Sequence, residues 1–196
     1  PMDDVHQLLS NKEYYSSIDL VAAYHQIPVA EEDKQKTAFI SSSMGLFEMN
    51  VMPFGLVNAP ASFQSFLQKV LVGLVNICLY VYIDDILIFS TTFKEHIDIM
   101  DKTFQRLNEH NLKICPNKSE FLCKETVFLG KTISNKGIKP SQKLLIAVKN
   151  LPIPTNLKEL ESALGLINFY IDLIPNAATL AVPLNNLRRK SVEFNM

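Results

Sequence analysis

Asp84 and Asp85 stand side by side in "YVYIDDILIFS", residues 80–90, a run otherwise almost wholly apolar. Two neighbouring carboxylates repel, and apolar surroundings weaken the screening that water would give. A hairpin turn explains one Asp readily, since Asp is a common turn residue. It explains Asp-Asp less well, because two-residue hairpins favour Asn-Gly or Asp-Gly, which accept positive φ. A hard divalent cation removes the repulsion: Mg²⁺ takes oxygen ligands and often binds through one or two carboxylates plus substrate phosphates. Asp19 ends another β-rich run, "SSID". Alone it reads as a turn residue or a helix cap. If its strand neighbours the first in one sheet, three carboxylates converge at one edge. Three carboxylates without His or Cys favour Mg²⁺ or Mn²⁺ over zinc. Such a cluster can hold two metals about 4 Å apart, an arrangement suited to in-line phosphoryl transfer.

The elements that must position these groups are legible in outline. "YYSSIDL" (residues 14–20), "KTAFI" (36–40) and "FEMNVM" (47–52) are strand candidates, the last two joined by a turn at "SSSMG". A helix follows, with Asn58 as cap, Pro60 in its first turn, and Phe63, Phe66, Leu67, Val70 and Leu71 at helical spacing. Two strands, around "ICLYVYI" and "ILIFS", flank the acidic pair. Residues 92–110 read as an amphipathic helix with Phe93, Ile97, Met100, Phe104 and Leu107 as its buried stripe. Residues 112–138 read as strands and turns, with "SNKG" closing a hairpin. Past Pro140 come three helices, 141–150, 157–170 and 177–189, separated by Pro152, Pro154 and Pro175. The expected fold class is α+β, with a boundary at Lys139-Pro140 between an α+β part (1–139) and a helical part (140–196).

Composition is that of an ordinary globular chain: 47% of the 196 residues are hydrophobic and 20% charged. The longest apolar run, residues 70–83, is broken by Asn76 and falls short of the roughly 18–20 residues a spanning helix needs, so no membrane partner is expected. Asp3, Asp4 and His6 stand where a leader would carry basic, then apolar residues. Pro1, where Met would start a whole protein, is expected of a piece of a longer chain. Cys78, Cys115 and Cys123 are odd in number and lack a C-x-x-C, which argues against a disulfide framework or a zinc site. His6, His25, His96 and His110 are scattered and read as structural or surface residues. The net charge of −1 conceals a split. Residues 1–110 carry 7 basic and 14 acidic side chains; residues 111–196 carry 12 and 6. Eight lysines lie between Lys113 and Lys149. Such asymmetry points to nucleic-acid contact or to a solvated lysine face.

With these residues in view, the chain resembles the reverse transcriptases of long-terminal-repeat retrotransposons of the Ty3/gypsy type. "YIDD" between apolar strands is similar to the family's catalytic motif. "SSIDLVAAYHQIPVAEEDKQKTAF" and "MGLFEMNVMPFGLVNAPASFQ" resemble its first acidic motif and the segment after it. "FLGKTISNKGIKPSQ" resembles the primer grip, and "LKELESALGLINFYIDLIP" the thumb helices. The resemblance implies a ferredoxin-like palm, an antiparallel sheet with packed helices, followed by a helical thumb. It implies an RNA-directed DNA polymerase that joins a deoxynucleotide (dNTP) to a primer 3′-hydroxyl on an RNA or DNA template. Asp19, Asp84 and Asp85 become the catalytic carboxylates, and with the Leu20 carbonyl the ligands of Mg²⁺ or Mn²⁺. Tyr24 becomes a gate beneath the sugar, where a flat ring leaves no room for a 2′-hydroxyl. Phe54 and Gly55 become nucleotide contacts. Pro60, Phe128, Leu129, Gly130 and Lys131 become contacts to the template–primer duplex, where lysines hold phosphates without reading sequence.

The same resemblance implies the remaining partners: fingers, ribonuclease H and integrase parts of a Pol polyprotein, in the cytoplasm or a virus-like particle. The chain is expected to be an excerpt without the basic fingers region before it or a ribonuclease H domain after it. Glu161 stands where relatives commonly carry Arg, Ile171-Asp172 where they carry basic residues, and Ala23 where Gly is usual. Two other readings compete. A nucleotide cyclase-like enzyme would use similar carboxylates but needs no primer grip or thumb. A co-opted fragment would keep the fold as a nucleic-acid-binding or structural module without catalysis.

Overall fold

The structure, a computed structural model, describes residues 8–9, 11–168 and 171–189, apart from the side chain of Asp172. Asp3, Asp4, His6, Tyr170 and the Asp172 side chain, all invoked above, lie outside that description. Element order is β1 (Tyr14–Asp19), a helical turn α1 (Glu31–Lys34), β2 (Phe39–Ser41), β3 (Gly45–Phe47), α2 (Ala59–Val70), β4 (Leu79–Tyr82), β5 (Asp85–Ser90) and α3 (Phe93–Glu109). Then come β6 (Glu120–Cys123), β7 (Glu125–Phe128), β8 (Lys131–Ser134), β9 (Gly137–Pro140), α4 (Gln142–Lys149), α5 (Leu157–Asn168) and α6 (Ala177–Asn186). The fold is α+β. The chain divides into two compact units, Pro1–Phe128 with Ile133–Gly137, and Leu129–Thr132 with Ile138–Met196. Among the described residues no helix is long and apolar enough to cross a membrane.

In the first unit β1 lies inside a four-stranded sheet ordered β4-β5-β1-β6, antiparallel throughout. Side chains alternate between the faces of a strand, so the register decides what faces the helices. Ile18 of β1, Ile86 and Ile88 of β5, and Leu79 and Val81 of β4 share one face. They pack with Phe63, Leu67 and Val70 of α2 and with Ile99 and Leu107 of α3 in one buried cluster. Truncating a fully buried ring such as Phe63 to Ala costs about 3–5 kcal/mol. By the same alternation Asp19 of β1 and Asp85 of β5 belong to the other face, away from this helix layer.

Helix α3 begins with a complete capping box: the Thr92 hydroxyl accepts from the Glu95 N–H at 3.2 Å, and the Glu95 carboxylate accepts from the Thr92 N–H at 3.4 Å. Its buried face corrects the expected stripe. Phe93 and Ile97 are exposed, Met100 and Phe104 are only partly buried, and the buried positions are His96, Ile99, Thr103 and Leu107. Two polar residues bury because each is hydrogen-bonded. Thr103 Oγ1 donates to the Ile99 carbonyl at 2.8 Å, and both His96 nitrogens meet serine hydroxyls. Apolar periodicity is blind to such positions. Two smaller expectations also shift. The strand expected over 47–52 ends at Phe47, with only Val51 bridging to Pro28. Asn58 precedes α2 in a helical conformation without a side-chain cap bond, while Pro60 does fall in the first turn.

The second unit is helical in its main part. Ser141 Oγ accepts from the Leu144 N–H at the start of α4. Leu160, Ala163 and Leu164 form the buried side of α5. Glu161 lies 3.7 Å from Arg188 Nε, so its charge is partly matched within the unit.

Candidate active site

The antiparallel register sets Asp19, the last residue of β1, directly opposite Asp85, the first of β5. Directly opposed residues on neighbouring strands have Cα atoms about 4.5–5.5 Å apart. Asp84 precedes Asp85 in the two-residue turn Ile83-Asp84, since Tyr82 pairs with Asp85. The acidic pair therefore straddles a turn and a strand end. The turn is strained: Ile83 adopts φ 55°, a left-handed conformation that a β-branched residue rarely accepts. Burial, then the charges of Asp84 and Asp19, push the Asp85 carboxyl up to about 6. Both other carboxylates thus act electrostatically on Asp85.

Asp19 is anchored through its backbone. Its N–H donates to Ser119 Oγ at 3.1 Å, and its carbonyl accepts from the Cys115 N–H at 2.8 Å. Lys118 Nζ lies 3.9 Å from its carboxylate. Leu20 stands opposite Ile114, between the bond to Asp19 and a second from the Val21 N–H to the Lys113 carbonyl at 3.0 Å. A residue flanked in that way points its own carbonyl away from the paired segment. Among the described residues no three acidic, His or Cys side chains close into a ready-made metal cage. The donor set nonetheless suits a hard cation. It is all oxygen, three carboxylates and the Leu20 carbonyl, and a divalent ion would relieve the like-charge repulsion that adds to burial in raising Asp85.

Tyr24 sits on a short 3-10 turn, Ala23–Gln26, that follows a left-handed Ala22 (φ 44°, ψ 51°). Its ring meets Phe54 and Phe63 edge-on at 5.4 and 5.7 Å between centroids. Burial, and then the charge of Asp84, raise its phenol above the ordinary value, which places Tyr24 in the electrostatic reach of the acidic turn. Phe54 is 67% exposed and also meets His25 edge-on. Gly55 beside it holds φ 91°, where a side chain would strain the backbone. Pro60 lies in the first turn of α2.

The residues expected to grip a primer are disposed less openly. Phe128 is buried, edge-on to Tyr80. Leu129 and Gly130 form a two-residue turn in which both hold positive φ, 49° and 73°, as the tightest hairpins require. Lys131 is only 2% exposed, and among the described residues its Nζ has no hydrogen-bond partner. A buried cation left in that state is costly unless an anion meets it.

Sequence spacing missed the contacts of Lys118 and Ser119 to Asp19, which bridge about a hundred residues. Lys118 was visible only as one of eight lysines; nothing in its neighbours singles it out.

Against this geometry, known proteins agree with one another. The family model described as "Reverse transcriptase (RNA-dependent DNA polymerase)" matches residues 2–133. The chain is 41% identical over 194 residues to the retrovirus-related Pol polyprotein from transposon 297 of Drosophila melanogaster, a match covering 99% of this chain and 18% of that one. It is 37% identical over 197 residues to the transposon Tf2-3 polyprotein of Schizosaccharomyces pombe, covering 99% and 15%. Among solved structures, the foamy viral protease-reverse transcriptase dRH in complex with double-stranded DNA superposes with a TM-score of 0.87 at 30% identity, covering 98% of this chain and 34% of that one. The foamy viral protease-reverse transcriptase in complex with an RNA/DNA hybrid gives 0.86 at 29%, covering 97% and 26%. The chain thus spans less than a fifth of the two polyproteins.

Proposed function

The chain belongs to the reverse transcriptase (RNA-dependent DNA polymerase) family, and from that premise we propose that it carries out RNA-directed DNA synthesis as part of a retrotransposon Pol polyprotein. In the reaction a primer 3′-oxygen bonds to the α-phosphorus of a dNTP, the bond to the β-phosphate breaks, and pyrophosphate leaves. The observation that carries this reading is the register of Asp19 against Asp85, with Asp84 next in the chain.

The family generally uses divalent metal ions. In this chain Asp19, Asp84, Asp85 and the Leu20 carbonyl would hold Mg²⁺ or Mn²⁺, which supplies positive charge to the attacking and leaving oxygens. The protein's own part is positioning. Tyr24, steadied by Phe63 and Phe54, blocks the space a ribose 2′-hydroxyl would need. Phe54 and Gly55 line the nucleotide's approach, the exposed ring offering a face and the glycine close backbone access. Pro60, Phe128, Leu129, Gly130 and Lys131 serve the duplex, and the unpartnered Lys131 ammonium supports an anionic ligand there. Residues 1–139 act as palm and residues 140–196 as thumb.

The test is primer extension by the chain on an RNA template with dNTPs and either metal. Extension that requires Asp85 supports the reading. Duplex binding without extension, unchanged by Asp85→Asn, would instead indicate a binding module.

A further inference from the structure

Gln26, the last residue of the 3-10 turn after β1, directs its carboxamide between nearby Val21 and Lys113, which lies 87 residues further along the chain. Its Nε2 donates to the Val21 carbonyl at 2.6 Å and to the Lys113 carbonyl at 3.1 Å. Its Oε1 accepts from the Lys113 N–H at 2.6 Å. The partners fix the orientation, since a flipped carboxamide would set its oxygen against two carbonyls and its amino group against an N–H.

These three bonds extend a ladder already described. Cys115 bonds Asp19 and Val21 bonds Lys113, flanking the Leu20–Ile114 pair. At Ala22 the backbone turns left-handed and leaves the ladder. The Gln26 carboxamide then binds both the N–H and the C=O of Lys113, as a peptide group would, and supplies the next rung. Tyr24 lies two residues before Gln26 in the same turn. The other backbone ties of that turn are local, His25 N–H to the Ala22 carbonyl at 2.8 Å and Ile27 N–H to the Tyr24 carbonyl at 3.1 Å. Among the described residues, Gln26 is therefore the turn's hydrogen-bonded link to a distant segment.

We propose that Gln26 is a positioning residue for the nucleotide pocket: by pinning the turn to Val21 and Lys113 it fixes Tyr24 relative to Asp19 and sets the discrimination between deoxy- and ribonucleotides. This rests on the polymerase reading above. Discrimination by a ring beneath the sugar depends on that ring being held in place, because a gate free to shift admits the extra hydroxyl.

Two variants of similar length test it. Gln26→Glu keeps the acceptor for Lys113 but sets carboxylate oxygen against two carbonyls; Gln26→Met keeps the length and removes every bond. The chain is measured for amide deuterium exchange over 19–26 and 111–116, for thermal midpoint, and for kcat and KM with dNTP and matched rNTP. The expected result is faster exchange in both segments together and little change in midpoint. The deoxy-over-ribo ratio of kcat/KM should fall about fivefold or more, with Glu worse than Met and duplex affinity within about twofold. Unchanged exchange, or an unchanged ratio while both kcat values fall with the thermal midpoint, overturns the role of Gln26 alone. A wild-type chain that extends no primer with either metal overturns the polymerase reading, and the discrimination role with it.

Discussion

Strands β1 and β5 carry polar groups at both ends of their pairing, and the two ends are treated in opposite ways. At one end His96 is fully buried between Ser16 and Ser90, with Nε2 2.8 Å from one hydroxyl and Nδ1 2.9 Å from the other. With the Ser90 hydroxyl donating to the Thr92 carbonyl at 3.0 Å, the tautomer protonated at Nδ1 satisfies the network, Nδ1–H donating to Ser90 and Nε2 accepting from Ser16, whose hydroxyl also lies 3.6 Å from Met100 Sδ. Ser16 Oγ also accepts from the Leu122 N–H at 3.0 Å. Every donor there has an acceptor, and burial holds the imidazole below its usual pKa, hence neutral. At the other end Asp19 and Asp84 act on Asp85 with like charge, and Lys118, 3.9 Å from Asp19, is the nearby counter-charge. A closed polar network stabilises a fold. An open one of a single sign stores a demand for a ligand.

The sharpest way to break this contrast is to neutralise the open end. Asp85→Asn or Asp84→Asn should reduce primer extension by about a thousandfold or more while leaving the chain folded, checked by single-turnover extension beside circular dichroism. At the closed end the effect should fall on stability. His96→Ala leaves two buried hydroxyls and a cavity, and should lower unfolding free energy by about 2–4 kcal/mol in urea titration. Tyr24→Ala, beside the open end, should lower the deoxy/ribo preference by about tenfold or more, read from kcat/KM for the two substrates.

The pH response sharpens the comparison further. Because the folded pKa of His96 is depressed, the unfolded state binds more protons below the ordinary value of 6.5. Its contribution to stability is full above about pH 6.5 and is lost as pH falls through the depressed folded value. The slope in that window should reach up to about 1.4 kcal/mol per pH unit. His96→Gln should flatten it, as followed by urea titrations across about pH 5–7.5. The smallest effect belongs to the exposed lysines. Changing Lys113, Lys118 and Lys143 to Gln should reduce the salt slope of duplex binding by about 0.7–0.9 for each phosphate they no longer neutralise.

What the residues disclosed follows the same division. The strands around the acidic pair, helices α2 and α3, the hairpin at "SNKG" and the helix after Pro140 were legible because each is written in local pattern. Asp19 and Asp85 were legible as partners because charge in an apolar strand needs a reason. The His96 network was not legible, since its closing groups come from β1, β5 and β6, and a buried, satisfied histidine looks like any other in sequence. Gln26 escaped for the same reason, its partner Lys113 lying 87 residues away. The left-handed Ile83 and Leu129 were equally hidden, because neither residue type announces positive φ.

The central claim is that three carboxylates, from two strands and the turn before one of them, together bind divalent cation, and Mn²⁺ binding to the chain, followed by electron paramagnetic resonance, tests it without requiring catalysis. Wild-type protein should bind Mn²⁺ in competition with Mg²⁺, and Asp19→Asn combined with Asp85→Asn should abolish that binding. Equal Mn²⁺ binding by the wild type and the double variant would contradict the account.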